Sequence, residues 1–240
     1  MNNPNLPLFE AAVRLLHPLL DDLAFVGGCA TGLLVTDPAA ASIRPTVDVD
    51  AITEVSTYAQ YAVLSERLRA VGLREDHRDG APTCRWRCAD LTIDVMPTDE
   101  RILGFSNPWY SPALATAQRV DVAGLRVRLV TAVYFLATKL VAFRARGNDD
   151  YRGSHDLEDV ITVIDGRLEI VAESQNAASD VQSYIGSEVS RLLGTRAFVD
   201  ALPGFLLPDA ASQARLSLVR DRLVALTGGS RSIPAPPETA

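Results

Sequence analysis

The chain has 240 residues, a net charge of −7, an isoelectric point near 5.0, 48% apolar residues and a mean hydropathy of +0.10. That length fits one large domain or two small ones with a substantial core, and the acidic balance excludes a wide basic face for duplex DNA while leaving room for a local basic patch around one nucleotide or RNA end. No apolar run approaches the ~18 residues of a membrane span, and MNNPNLPLFEAA has no basic segment followed by an apolar run, so no membrane partner and no signal peptide are expected and the location reads as cytoplasmic.

Leu8 to Leu16 has helical apolar spacing, closed by Pro18. LAFVGG, from Leu23 to Gly28, reads as a short buried strand running into two glycines, and CATGLLV as a short helix. TVDVDAI is a strand, and Thr57 to Val71 a helix by its apolar spacing. TCRWRC and LTIDVMP form two strands joined tightly at Ala89-Asp90, a hairpin. Thr98 to Pro112 is expected to be a loop, and RVDVAGLRVRLV a second hairpin turning at Ala123-Gly124. Cys84 and Cys88 flank Trp86 at about 13 Å by strand rise, too far for a disulfide, so all three cysteines, Cys29 included, are expected to be reduced thiols.

After Val130 the pattern becomes helical. Thr131 to Arg146 is a long helix without Gly or Pro, and Ser154 is a candidate N-cap for HDLEDVITVI, whose Leu157, Val160, Ile161 and Ile164 form an apolar stripe. Helices with breaks at Gly194 and Pro203 to Pro208 follow to about Leu226. The expected organisation is an α/β part over 1–129, a helical part over 130–227 and a disordered tail over 228–240.

Four features carry possible chemistry. Gly27-Gly28 closes a strand and opens a helix, where glycines admit a phosphate and free N–H groups can bind it, although a tight turn alone explains the pair. Asp48 and Asp50, on one strand face, lie roughly 6.6 Å apart at the backbone. Carboxylates so close repel unless a cation joins them, and Mg²⁺ takes such oxygen ligands; a solvated strand face is the plainer reading. Asp94 stands alone in the apolar LTIDVMP, on an edge strand facing solvent or as a third carboxylate beside Asp48 and Asp50. Lys139 is the single lysine among 23 basic residues; it snorkels from an apolar helix or aims at a triphosphate. Asp156 then lies in the first turn of the next helix, favoured there by the helix dipole alone.

In this order, GGCATG, TVDVDAI and LTIDVMP resemble the nucleotidyltransferase superfamily with the polymerase-β-like core. ATKLVAFRARGNDDYRGSHDLEDV is similar to the lysine-helix and aspartate-helix motifs of the AbiEii-like nucleotidyltransferases, which include MenT-type toxins of type IV toxin–antitoxin systems. The resemblance spans roughly Ala24 to Ile164 and implies an α/β core with a mixed sheet followed by a helical domain. It further implies an NTP with its phosphates at Gly27, Gly28, Cys29 and Thr31, and Mg²⁺, as two ions, on Asp48, Asp50 and Asp94. Lys139 would contact the triphosphate, and Asp156 would be the acidic residue of the last motif. Cys29 departs from the Ser or Thr of many relatives, and a thiol is a poor phosphate donor.

The function so implied is Mg-dependent transfer of NMP from an NTP to an acceptor hydroxyl, RNA such as a tRNA 3′ end, by a toxin with a cognate antitoxin partner. Arg144, Arg146 and Arg152 lie beside the lysine motif and could meet an acceptor phosphate. Competing readings are modification of a small cationic molecule such as an aminoglycoside, transfer to a protein side chain, and a binding module with a decayed site, for which Cys29 is the sequence support.

Overall fold

The computed structural model describes residues 3–40 and 43–228; of the expected tail, 229–240 lie outside the described residues. The chain is α/β, with a mixed seven-stranded sheet followed by a helical region. In the first part, α1 is Leu6–Leu15, β1 Leu23–Val26, α2 Gly27–Leu34, β2 Val49–Thr53, α3 Tyr58–Ala70, β3 Arg74–Glu75, β4 Arg85–Cys88, β5 Leu91–Pro97, α4 Glu100–Leu103, α5 Tyr110–Ala115, β6 Gln118–Val122 and β7 Leu125–Leu129. The helical region holds α6 Ala132–Arg146, α7 His155–Gly166, α8 Ile170–Gln175, α9 Ser179–Leu193, α10 Arg196–Ala201, α11 Ala210–Ala214 and α12 Leu216–Leu226.

The strand order is β3-β4-β5-β2-β1-β7-β6. β2 runs parallel to β5, and β1 parallel to β7; the remaining pairs are antiparallel. β1 is buried along its whole length, as a central strand covered on both faces must be. The two expected hairpins form. Ala89 takes φ +49° at one turn, and Ala123 and Gly124 take +53° and +78° at the other, the left-handed backbone that a tight hairpin demands.

Local chemistry explains the helix starts. Thr57 caps α3 by accepting from the Gln60 N–H at 3.2 Å while the Gln60 side chain accepts from Thr57 N–H, a reciprocal capping box. Ser154 Oγ accepts from Leu157 N–H at 3.3 Å and starts α7. Leu157, Val160, Ile161 and Ile164 are all fully buried beneath it. α2 packs on β1 and β2 and also meets α6 and α7, so the helical region closes onto the sheet through α2.

Three expectations need correction. Thr98 to Pro112 contains α4 and the start of α5 rather than continuous loop; helices of four and six residues are too short to display a period. β2 begins at Val49, so Asp48 lies just before the strand. β5 is interior, between β4 and β2, so Asp94 is no edge residue. The three cysteines are free thiols, and among the described residues no helix is long and apolar enough to cross a membrane.

Candidate active site

The site begins where β1 becomes α2. Val26 is extended and offers the helix no side-chain cap, so the first turn presents its backbone donors. Gly27 sits at φ +77°. A Cβ there would lie 2.7 Å from Cβ of Asp50 and collide with its carboxylate, so only glycine fits both the backbone and the space. A Cβ on Gly28 would lie 3.0 Å from an Arg44 guanidinium nitrogen and 3.3 Å from Asp159 Oδ2.

The ladder sets the acidic residues in a row. Val26 pairs with Asp50, Asp50 with Asp94, and Asp94 with Arg85, and register partners share a face. Arg85 Nε donates to Asp94 Oδ1 at 2.8 Å, and one terminal nitrogen donates both to Asp94 Oδ2 at 2.8 Å and to Asp48 Oδ2 at 2.9 Å. Asp48 Oδ1 accepts from Thr46 Oγ1 at 3.0 Å. Arg85 is therefore a positive partner already built between two of the three carboxylates, and their charges hold its guanidinium protonated even more firmly than usual. Asp50 has no comparable hydrogen bond among the described residues. Burial, then the charge of Asp48, pushes its carboxyl up to about 7 against the pull of Lys139; Asp94 adds to the rise.

The opposite wall comes from α6 and α7. Lys139 is buried, with Nζ 2.7 Å from Asp159 Oδ2 and 3.2 Å from Asp156 Oδ1. Burial works against its charge, but Asp159 and Asp156 outweigh it and the pKa is raised. Asp156 also accepts two bonds from Arg146, at 2.9 and 3.0 Å; burial alone would raise its pKa, but Arg146 and Lys139 hold it below the usual value. Arg44 reaches Asp159 at 3.3 Å. Asp156 and Asp159 are three apart on α7, hence on one face, and grip Lys139 together.

These walls enclose a cleft of about 980 Å³. Gly27, Gly28, Asp48, Asp50, Asp94, Lys139 and Asp156 all line it. Cys29 and Thr31 do not: both are fully buried inside α2, and the Cys29 thiol points to the Asn5 carbonyl oxygen at 3.7 Å. Burial, with the charges of Asp50 and Asp48, raises the Cys29 pKa further. The expected placing of these two side chains at the phosphates is thus corrected, because α2 is buried all round from Gly27 to Thr31. Of the three arginines beside the lysine, Arg146 lines the cleft, whereas Arg144 pairs with Glu188 at 2.7 Å on α9.

Arg85, Asp159 and Arg44 were not singled out in the sequence. A signal existed for Arg85, since a two-residue turn at Ala89-Asp90 fixes Cys88 opposite Leu91 and therefore Arg85 opposite Asp94. Helical spacing from Asp156 pointed to Asp159. No local signal marks Arg44.

Among the described residues, no three His, Cys, Asp or Glu side chains are arranged as a ready metal cluster. At Asp94 both carboxylate oxygens accept from Arg85. Asp48 and Asp50 could nevertheless hold a divalent cation: both line the cleft and offer carboxylate oxygens, the donors that Mg²⁺ requires.

No family model matches the chain, and no curated protein matches it. Among solved structures, an antigenic nucleotidyltransferase-like protein from Paracoccidioides brasiliensis is similar at 21% identity and a TM-score of 0.47, over 82% of this chain and 93% of that one. A candidate nucleotidyltransferase from H. pylori is similar at 12% identity and a TM-score of 0.44, over 95% of this chain and 93% of that one.

Proposed function

We propose that the chain is a Mg-dependent nucleotidyltransferase, moving NMP from an NTP to an acceptor hydroxyl. One observation carries this reading: Asp50, short of a positive partner, packs against the Gly27 turn on the floor of a cleft whose far wall holds a buried lysine. Backbone donors at a helix N-terminus, oxygen ligands for a hard cation and a fixed ammonium are the three things a metal–triphosphate needs. When bound on Asp48 and Asp50, Mg²⁺ would neutralise charge on the transferring phosphoryl group. Gly27 and Gly28 would receive the phosphates. Lys139 gives two of its three donor directions to Asp156 and Asp159 and keeps one for a phosphate oxygen. Asp156 aims Lys139 and Arg146 rather than touching substrate.

For the acceptor we favour an RNA end, such as a tRNA 3′ end, with the cellular role of a toxin countered by an antitoxin. Arg146 supports a phosphate-bearing acceptor: its side chain is 71% exposed while anchored at the cleft edge by Asp156. The test is incubation with each α-³²P NTP, Mg²⁺ and either total RNA or a mixture of aminoglycosides. Label on RNA with growth arrest on expression is the expected result. Label on the aminoglycosides alone overturns the RNA assignment, and no label in any arm overturns both of these acceptor readings.

A further inference from the structure

Resting on the reading above, we infer that Arg85 stands in for a second divalent ion, so that the site takes one Mg²⁺, on Asp48 and Asp50. Three observations lead there. Both Asp94 oxygens accept from Arg85 at 2.8 Å, so the charge of the third carboxylate is already matched by a resident cation. The same guanidinium reaches Asp48 at 2.9 Å, so its charge lies between the carboxylates that a second ion would bridge. The position is fixed by backbone, because Arg85 and Asp94 are register partners in a tight hairpin and cannot drift apart by loop motion.

The geometry also favours permanence. Asp94 is buried, and the pair is the bidentate form in which guanidinium and carboxylate match best. Displacing Arg85 would strand a buried carboxylate until an ion arrived, at a cost that a resident ion pair avoids. Arg85 is thus a positioning residue: it supplies fixed charge and holds Asp94 out of the metal's coordination sphere. Asp50, paired with Asp94 across the β2–β5 ladder and bonded to no arginine among the described residues, is left as the ligand for the cation.

The test counts ions with Mn²⁺ in place of Mg²⁺, using the full chain and each of the four NTP analogues with an α,β-methylene bridge. Electron paramagnetic resonance reports both the number of bound Mn²⁺ and whether two are close enough to couple. The wild type is expected to bind one uncoupled Mn²⁺ per chain with the matching analogue. Arg85→Gln is expected to bind two, with a coupled spectrum, because Asp94 is freed. The double variant Arg85→Gln/Asp94→Asn is expected to return to one, and its retained ion shows that it folds. Two coupled ions in the wild type, or a single ion in Arg85→Gln, would overturn the role of Arg85 while leaving the nucleotidyltransferase reading intact. No Mn²⁺ with any analogue in any variant would overturn both.

Discussion

Gly27 and Asp50 occupy one another's space: the glycine's missing Cβ is where the aspartate's side chain lies. Val26 and Asp50 are register partners, so the turn after Val26 folds straight over the carboxylate. The strand-ending glycine and the strand-borne acid are two halves of one device, joined by the β1–β2 ladder. Gly27→Ala would force Asp50 to a new rotamer and place a side chain at φ +77°, a strain of about 1–2 kcal/mol. A reacting group misplaced by about 1 Å can cost roughly 100-fold in rate. Nucleotidyl transfer by Gly27→Ala is expected to fall by about that factor while the thermal melt remains cooperative; radiolabel transfer and calorimetry measure the two separately.

The raised Asp50 carboxyl gives the metal-free protein a characteristic pH dependence. Its folded value, about 7, exceeds the ordinary 3.8, so the folded state holds the proton more tightly than the unfolded chain. The associated stability is fully present below about pH 4 and lost as pH rises through about 7. Asp50→Asn, which stays neutral, is expected to melt several degrees above the wild type at pH 8 in chelator, a chain of this size shifting by about 2–4 °C per kcal/mol. Below about pH 4 the two should melt together. Added Mg²⁺ and NTP should raise the wild-type melt at pH 8 and leave the variant unmoved.

Lys139 is the shared counter-charge of two buried carboxylates, with Arg44 and Arg146 as their outer partners. Lys139→Met is expected to cost about 3 kcal/mol in urea unfolding, the lower end for breaking a buried pair, because the arginines remain. Adding Asp159→Asn should recover more than half of that loss by removing the stranded charge. Activity should not return in the double variant, since the ammonium aimed at the triphosphate is still missing.

Much of the site was legible because it rests on short-range chemistry. Gly27-Gly28 announced a turn, Asp48 and Asp50 a shared face, Ser154 the start of the helix carrying Asp156, and Lys139 stood out as a lone ammonium among guanidinium groups. The failures have physical causes as well. Cys29 and Thr31 follow the glycines in sequence, but α2 is packed between the sheet and α1, α6 and α7, which buries both side chains away from the cleft. Asp94 was left between an edge position and a place beside Asp48 and Asp50, because an apolar strand with one charge cannot reveal how many neighbours it has. The positive partner of the carboxylates was sought in metal alone, although the hairpin turn already set Arg85 opposite Asp94.

The sequence by itself determined the longer strands and helices, where the hairpins turn and therefore which residues face each other across them, for these depend on neighbours within a few residues. Only the tertiary structure decided that β2 lies parallel beside β5, setting Asp50 against Asp94, and that α6 and α7 close on α2, bringing Lys139 and Asp156 to the cleft. Parallel pairing and helix docking leave no local trace, because they are chosen by the burial of whole apolar faces between segments far apart in the chain.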